Sequence, residues 1–87
     1  MFYVYLLKNK FDKTYMGYTA DLRNRFKDHN YGRVKFTKLG RPWNLVYYEA
    51  FLSKKDAQLR EKTLKNYGST LGQLKQRISN SLIISIK

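Results

Sequence analysis

The 87-residue chain carries 18 Lys and Arg against 6 Asp and Glu, a formal charge of +12, and is 43% hydrophobic and 16% aromatic. That charge points to an anionic partner, either nucleic acid or an acidic membrane surface, with the aromatics favouring nucleic acid, and the hydrophobic share excludes a disordered basic tail. The chain has no cysteine, so disulfides and thiolate metal sites are excluded, and one small core must suffice without them.

The first two elements read as a hairpin. Residues 2 to 8 and 14 to 18 are rich in aromatic and β-branched side chains, and the intervening NKFDK supplies turn residues. Tyr5 and Tyr15 share a face if odd residues pair with odd, and an odd-even register separates them. Gly17, inside the second strand, implies either the close approach of a backbone or ligand or a β-bulge. A helix follows, capped by Thr19 or Asp21 and running to about His29. Next, NYGRVKFTKLGRP reads as a basic loop, and NLVYYEAF, 44 to 51, as a third strand. Ser53 with Asp56 opens a second helix that runs to about Asn66 and is ended by YGS. A third helix is predicted from Thr70 to about Asn80. The terminal SLIISIK could extend that helix, add an edge strand or contact a partner. The order β-β-α-β-α-α defines an α+β domain, with a small three-stranded antiparallel or mixed sheet flanked by helices. Without repeats or linkers, residues 1–87 are expected to form one domain. No run reaches membrane-spanning length and no signal-peptide layout is seen, so a cytoplasmic protein with no membrane role is expected.

Helix periodicity then selects residues. Leu22, Arg25, Phe26 and His29 fall on one stripe, and Ala57, Glu61 and Leu64 on another, with Arg60 at its margin. Leu59 points the other way without explanation. An arginine, a histidine and a carboxylate thus take positions that a small core would give to apolar groups, where unpaired charge costs several kcal/mol. That violation marks a candidate site. Among the acids, Asp12 suits a turn, Asp21 and Asp56 suit first helical turns, and Asp28 faces outward. Glu49 and Glu61 remain. Glu49 either lines a sheet face or meets a basic neighbour. Glu61 is a candidate metal ligand, or one half of an i,i+4 pair with Lys65. Arg33, Lys35, Lys38 and Arg41 in the loop, with Lys62 and Lys65 on the second helix, are candidate nucleic-acid contacts, and Phe36 would suit base stacking. The plainer alternative for the loop is a solvated basic face.

Residues 3 to 67 resemble the GIY-YIG endonuclease superfamily, especially its small stand-alone members and the N-terminal nuclease domain of the UvrC excision-repair subunit. The two signature tripeptides correspond to YVY, 3 to 5, and YMG, 15 to 17. In DLRNRFKDH, Arg25 matches the family's catalytic arginine and His29 the position held by Tyr or His. LREKTLK, 59 to 65, is similar to the helix whose glutamate binds metal, which selects Glu61 over Glu49. Tyr3 and Met16 depart from the signatures, and KNYGS does not reproduce the proline-containing motif that ends in Asn in UvrC-type domains.

The resemblance implies hydrolysis of a DNA phosphodiester with one divalent cation, magnesium or manganese, held by Glu61. It gives Arg25 the phosphate, makes Tyr5 or Tyr15 the proton acceptor assisted by His29, and makes Gly17 structural. No separate DNA-binding domain is evident, so specificity would come from this domain or from a protein partner. The rival expectation is a basic nucleic-acid-binding module with a nuclease-like fold that does not cut, and a ribosome-associated protein is a third, resting on charge alone.

Overall fold

The structure, a computed structural model, describes residues 1–84. Strands β1 (Phe2–Asn9), β2 (Thr14–Thr19) and β3 (Trp43–Phe51) form one antiparallel sheet in the order β2-β1-β3. Asn9 builds the β1–β2 turn: its side-chain oxygen accepts from the amides of Phe11 and Lys13 at 3.0 and 2.9 Å. Asp12 takes the left-handed conformation there, with φ of 65°, which a short polar side chain tolerates.

Helix α1 (Leu22–Asn30) starts where Asp21 accepts from the Asn24 amide, and α2 (Lys54–Asn66) where Ser53 accepts from the Asp56 amide. Asp21, of the two candidates, is therefore the cap of α1. Helices α3 (Gly68–Arg77) and α4 (Ser79–Ile84) complete the order.

Alternation along β1 divides the interior. Val4 and Leu6 pack with Met16, Ala57, Leu64 and Leu74 on the side covered by α2 and α3. Tyr5 and Leu7 pack with Trp43 on the side covered by α1, where Leu22 and Phe26 close over them. Each fully buried aliphatic side chain contributes about 1.5–3 kcal/mol. A bulge between Leu6 and Leu7 in the β1–β3 register turns both Val46 and Tyr47 toward the α2 side.

Three features differ from the sequence reading. The basic loop contains a 3₁₀ helix, Lys35–Gly40, whose inward residues, Thr37 and Gly40, carry no apolar periodicity. The third helix begins at Gly68 because extended Tyr67 turns the corner directly after α2, and the amides of a first helical turn need no intrahelical partner. That helix also breaks at Ile78 before α4, and Ile78 and Leu82 both pack against the core beneath α2. The element order is thus ββαβααα, and Ser81–Ile84 is helical. The reading of SLIISIK at 85–87 lies outside the described residues.

Candidate active site

The β1–β2 register pairs odd residues with odd, setting Tyr5 opposite Gly17 and Tyr15 opposite Leu7. Tyr5 and Tyr15 therefore share the face beneath α1, with ring centroids 6.4 Å apart. The reason for a glycine at 17 is then plain. A Cβ there would overlap the Tyr5 hydroxyl and ring, and the pairing runs through this position without a bulge. The close approach expected at Gly17 is made by a side chain of the neighbouring strand, not by a backbone or ligand.

The α1 stripe delivers His29 to the same place. His29 is fully buried, its ring centroid 5.6 Å from that of Tyr5 and 5.0 Å from that of Tyr15. Its Nε2 lies 2.7 Å from Tyr5 Oη, and its Nδ1 lies 2.7 Å from Thr37 Oγ1. The Thr37 hydroxyl donates to the Val34 carbonyl at 3.3 Å, so it accepts from His29 Nδ1–H. In that arrangement Nε2 carries the lone pair and accepts the Tyr5 proton. A directed chain results, from Tyr5 through His29 and Thr37 to Val34.

Burial first, and the Arg25 guanidinium second, push the His29 imidazole down to about 4, so it is neutral. Burial pushes the Tyr5 phenol up to about 12, against the pull of Arg25 beside its hydroxyl. Arg25 itself is held above its ordinary value, chiefly by that contact. Arg25 Nε is buried and has no hydrogen-bond partner among the described residues. A buried guanidinium N–H without an acceptor is costly, and an anion placed there would relieve it.

The carboxylate of Glu61 completes the group from α2. It is close enough to oppose ionisation of Tyr5, is about one-quarter exposed and pairs with Lys65 at 3.2 Å. The i,i+4 pair anticipated from the spacing is thus formed, and Lys65 Nζ also stands 5.8 Å from the Tyr15 ring centre. Glu49 lies in a separate cluster, bound through two nitrogens by Arg60 at 2.9–3.1 Å. It meets a basic neighbour, the second of the two readings open for it. The described residues contain no group of three or more His, Asp or Glu that could hold a metal. A lone hard carboxylate fits a cation that keeps most of its water and takes the rest of its ligands from substrate phosphate. Arg25, which like Glu61 acts on Tyr5, offers a guanidinium to an incoming phosphate.

Of the other candidates, Arg33, Lys35, Lys38 and Arg41 line the α1–β3 connection, and Lys62 is exposed on α2. Arg33 pairs with Asp28 at 3.0 Å. Thr37, fully buried, escaped the sequence reading. Its one available signal is the pairing of Thr37 with Gly40, three apart, between exposed lysines.

A fold of this order is the one expected of a nuclease-type domain, and it groups the paired tyrosines with the arginine and histidine of one helix and the glutamate of the next. The model of the GIY-YIG catalytic domain matches residues 1–75, and the chain belongs to the GIY-YIG family. Within that family it is similar to small UPF0213 proteins. One from Clostridium perfringens is 43% identical over 84 residues, covering 95% of this chain and 88% of that protein. Another, from Staphylococcus haemolyticus, is 44% identical over 66 residues, covering 75% and 80%. The solution NMR structure of a UPF0213 protein from Bacillus halodurans matches with a TM-score of 0.53 and 37% identity, over 86% of each chain. Among the described residues, no helix is long and apolar enough to cross a membrane.

Proposed function

We propose that residues 1–87 act as one domain that hydrolyses DNA phosphodiesters with a single magnesium or manganese ion, selecting DNA by structure in repair or recombination. The observation that carries this reading is the Tyr5–His29–Thr37 hydrogen-bond chain beside a buried Arg25 N–H that lacks an acceptor among the described residues. Arg25 takes a non-bridging oxygen of the scissile phosphate and strengthens its hold as charge grows there. Attack by water forms one P–O bond as the bond to the 3′ oxygen breaks. The water proton passes to Tyr5 Oη while the phenol proton moves to His29 Nε2. A phenol pushed up to about 12 is no free base at neutrality, so the concerted transfer replaces a standing phenolate. Negative charge on the bound phosphate supports the imidazolium that forms, and Thr37 keeps the ring oriented.

Glu61 would hold the cation, which supplies electrostatic stabilisation of the departing 3′ oxygen. Tyr15 walls the site beside Tyr5. Arg33, Lys35, Lys38, Arg41, Lys62 and Lys65 supply the attraction for the DNA backbone. The site is expected to work in the cytoplasm, with a protein partner adding specificity where the domain lacks it. Incubation with branched, flapped and plain duplex DNA, with and without manganese or magnesium, tests the proposal. Metal-dependent scission is expected. Binding that persists without metal and cuts none of the three would make the domain a non-catalytic binder.

A further inference from the structure

The 3₁₀ segment that holds Thr37 also sorts its other side chains by face. With three residues per turn, positions three apart stack on one side. Thr37 and Gly40 point inward: Thr37 is fully buried against His29, and a Cβ on Gly40 would collide with Trp43. Lys35 and Lys38 form a second row and are exposed. Phe36 and Leu39 form the third, 87% and 97% exposed, the two most exposed large apolar side chains among the described residues.

This turn is rigidly mounted. Trp43 Nε1 donates to the Thr37 carbonyl at 2.8 Å, Asn9 Nδ2 to the Gly40 carbonyl at 3.0 Å, and His29 holds the Thr37 hydroxyl. Residues 29 to 48 contain no acid, while Arg33, Lys35, Lys38 and Arg41 lie among them.

Resting on the nuclease reading, we propose that Phe36 and Leu39 are an apolar wedge that enters the base stack of DNA at an unpaired or distorted step, making such DNA the preferred substrate. The charge and size of the patch select this occupant. Lysine is depleted from the cores of protein interfaces, and two side chains fall far short of the roughly 20 residues a stable protein partner covers. One or two apolar side chains flanked by cations are what unstacking a base step takes. Phe36 adjoins Thr37 in the chain, on a different face of the same turn from the one that meets His29.

DNA carrying 2-aminopurine next to a one-base bulge, bound by the full chain in EDTA, tests this apart from cleavage. Wild type should raise the fluorescence severalfold and prefer bulged over plain duplex by about tenfold or more. The double variant F36A/L39A should lose both effects while keeping its affinity for plain duplex within about twofold, since the lysines carry that attraction. The control K35A/K38A should lower the slope of log affinity against log salt by about 2 and keep the fluorescence rise at saturation. An unchanged rise in F36A/L39A, with normal binding and cutting by wild type, overturns the wedge alone. Self-association of wild type that F36A/L39A abolishes, with the DNA response untouched, makes the patch an interface between copies and also overturns it. Absence of any DNA binding by wild type overturns the wedge and the nuclease reading together.

Discussion

The sheet carries two sets of tyrosine, arginine and glutamate, and their difference separates structure from chemistry. On the α2 side, Tyr47 donates to Glu49 at 2.7 Å and Arg60 grips the same carboxylate through two nitrogens. Burial works to raise the Glu49 carboxyl, but Arg60 and Tyr47 hold it below its ordinary value. Burial, reinforced by Glu49, pushes Tyr47 up to about 12. That set is closed: each member satisfies another. In the second set Arg25 Nε has no partner among the described residues, Glu61 is matched by a lysine on its own helix, and Tyr5 leans on a neutral histidine. Breaking a closed set of charges is destabilising because one member is left buried and unpaired, whereas an open set is stabilised by the ligand that completes it.

The largest effects should come from the two arginines, in opposite observables. Arg25→Ala is expected to lower turnover on the order of 100-fold or more, with DNA affinity within a few-fold and thermal unfolding near wild type. Arg60→Ala should instead leave turnover nearly intact and cost about 2 kcal/mol of stability, because a half-buried Glu49 loses its partner. Equal losses of binding and rate in Arg25→Ala would reduce that residue to an ordinary phosphate contact. Steady-state cleavage and urea unfolding of both variants separate these outcomes.

A second break targets the tyrosine that the open set depends on. Gly17→Ala places a methyl group in the volume of the Tyr5 ring and should cost about 2 kcal/mol by overpacking. Cleavage should fall further than stability accounts for, because the ring leaves His29. Wild-type cleavage by Gly17→Ala at a temperature where it remains folded would show that the placement of Tyr5 is not critical.

The smallest effect is a pH dependence. His29 is held at about 4 in the fold and near 6.5 when unfolded. The unfolded chain therefore binds the extra proton between those values, and stability falls as pH drops through them. About 2 kcal/mol should disappear between pH 7 and pH 5. His29→Gln removes the titrating group and should flatten that part of the profile, measured by thermal unfolding. A wild-type profile that stays level over this range would contradict a buried neutral imidazole.

Much of the open set was legible in the sequence, because helical periodicity is a local property. Arg25 and His29 on the Leu22–Phe26 stripe, and Glu61 on that of Ala57 and Leu64, follow from spacing alone. Whether Tyr5 and Tyr15 face the same side depends on a strand register that the turn alone does not fix, and the pairing supplies it. Thr37 was hidden for a different reason. Its value comes from a hydrogen bond to a residue eight positions away, within a 3₁₀ turn whose inward face is polar and small.

Two glutamates, one in each set, are candidates to serve the reaction, so the most direct measurement compares Glu61→Gln with Glu49→Gln in one experiment. Each keeps the size of the side chain and removes its charge. Cleavage of the preferred DNA in magnesium and in manganese is measured beside thermal unfolding. Glu61→Gln should lose metal-dependent scission almost completely, keep its unfolding temperature, and bind DNA without metal as well as wild type or slightly better. Glu49→Gln should keep scission and lose stability. If Glu61→Gln cuts DNA normally in both metals, the open set does not hold the cation, and Glu61 is only the surface partner of Lys65.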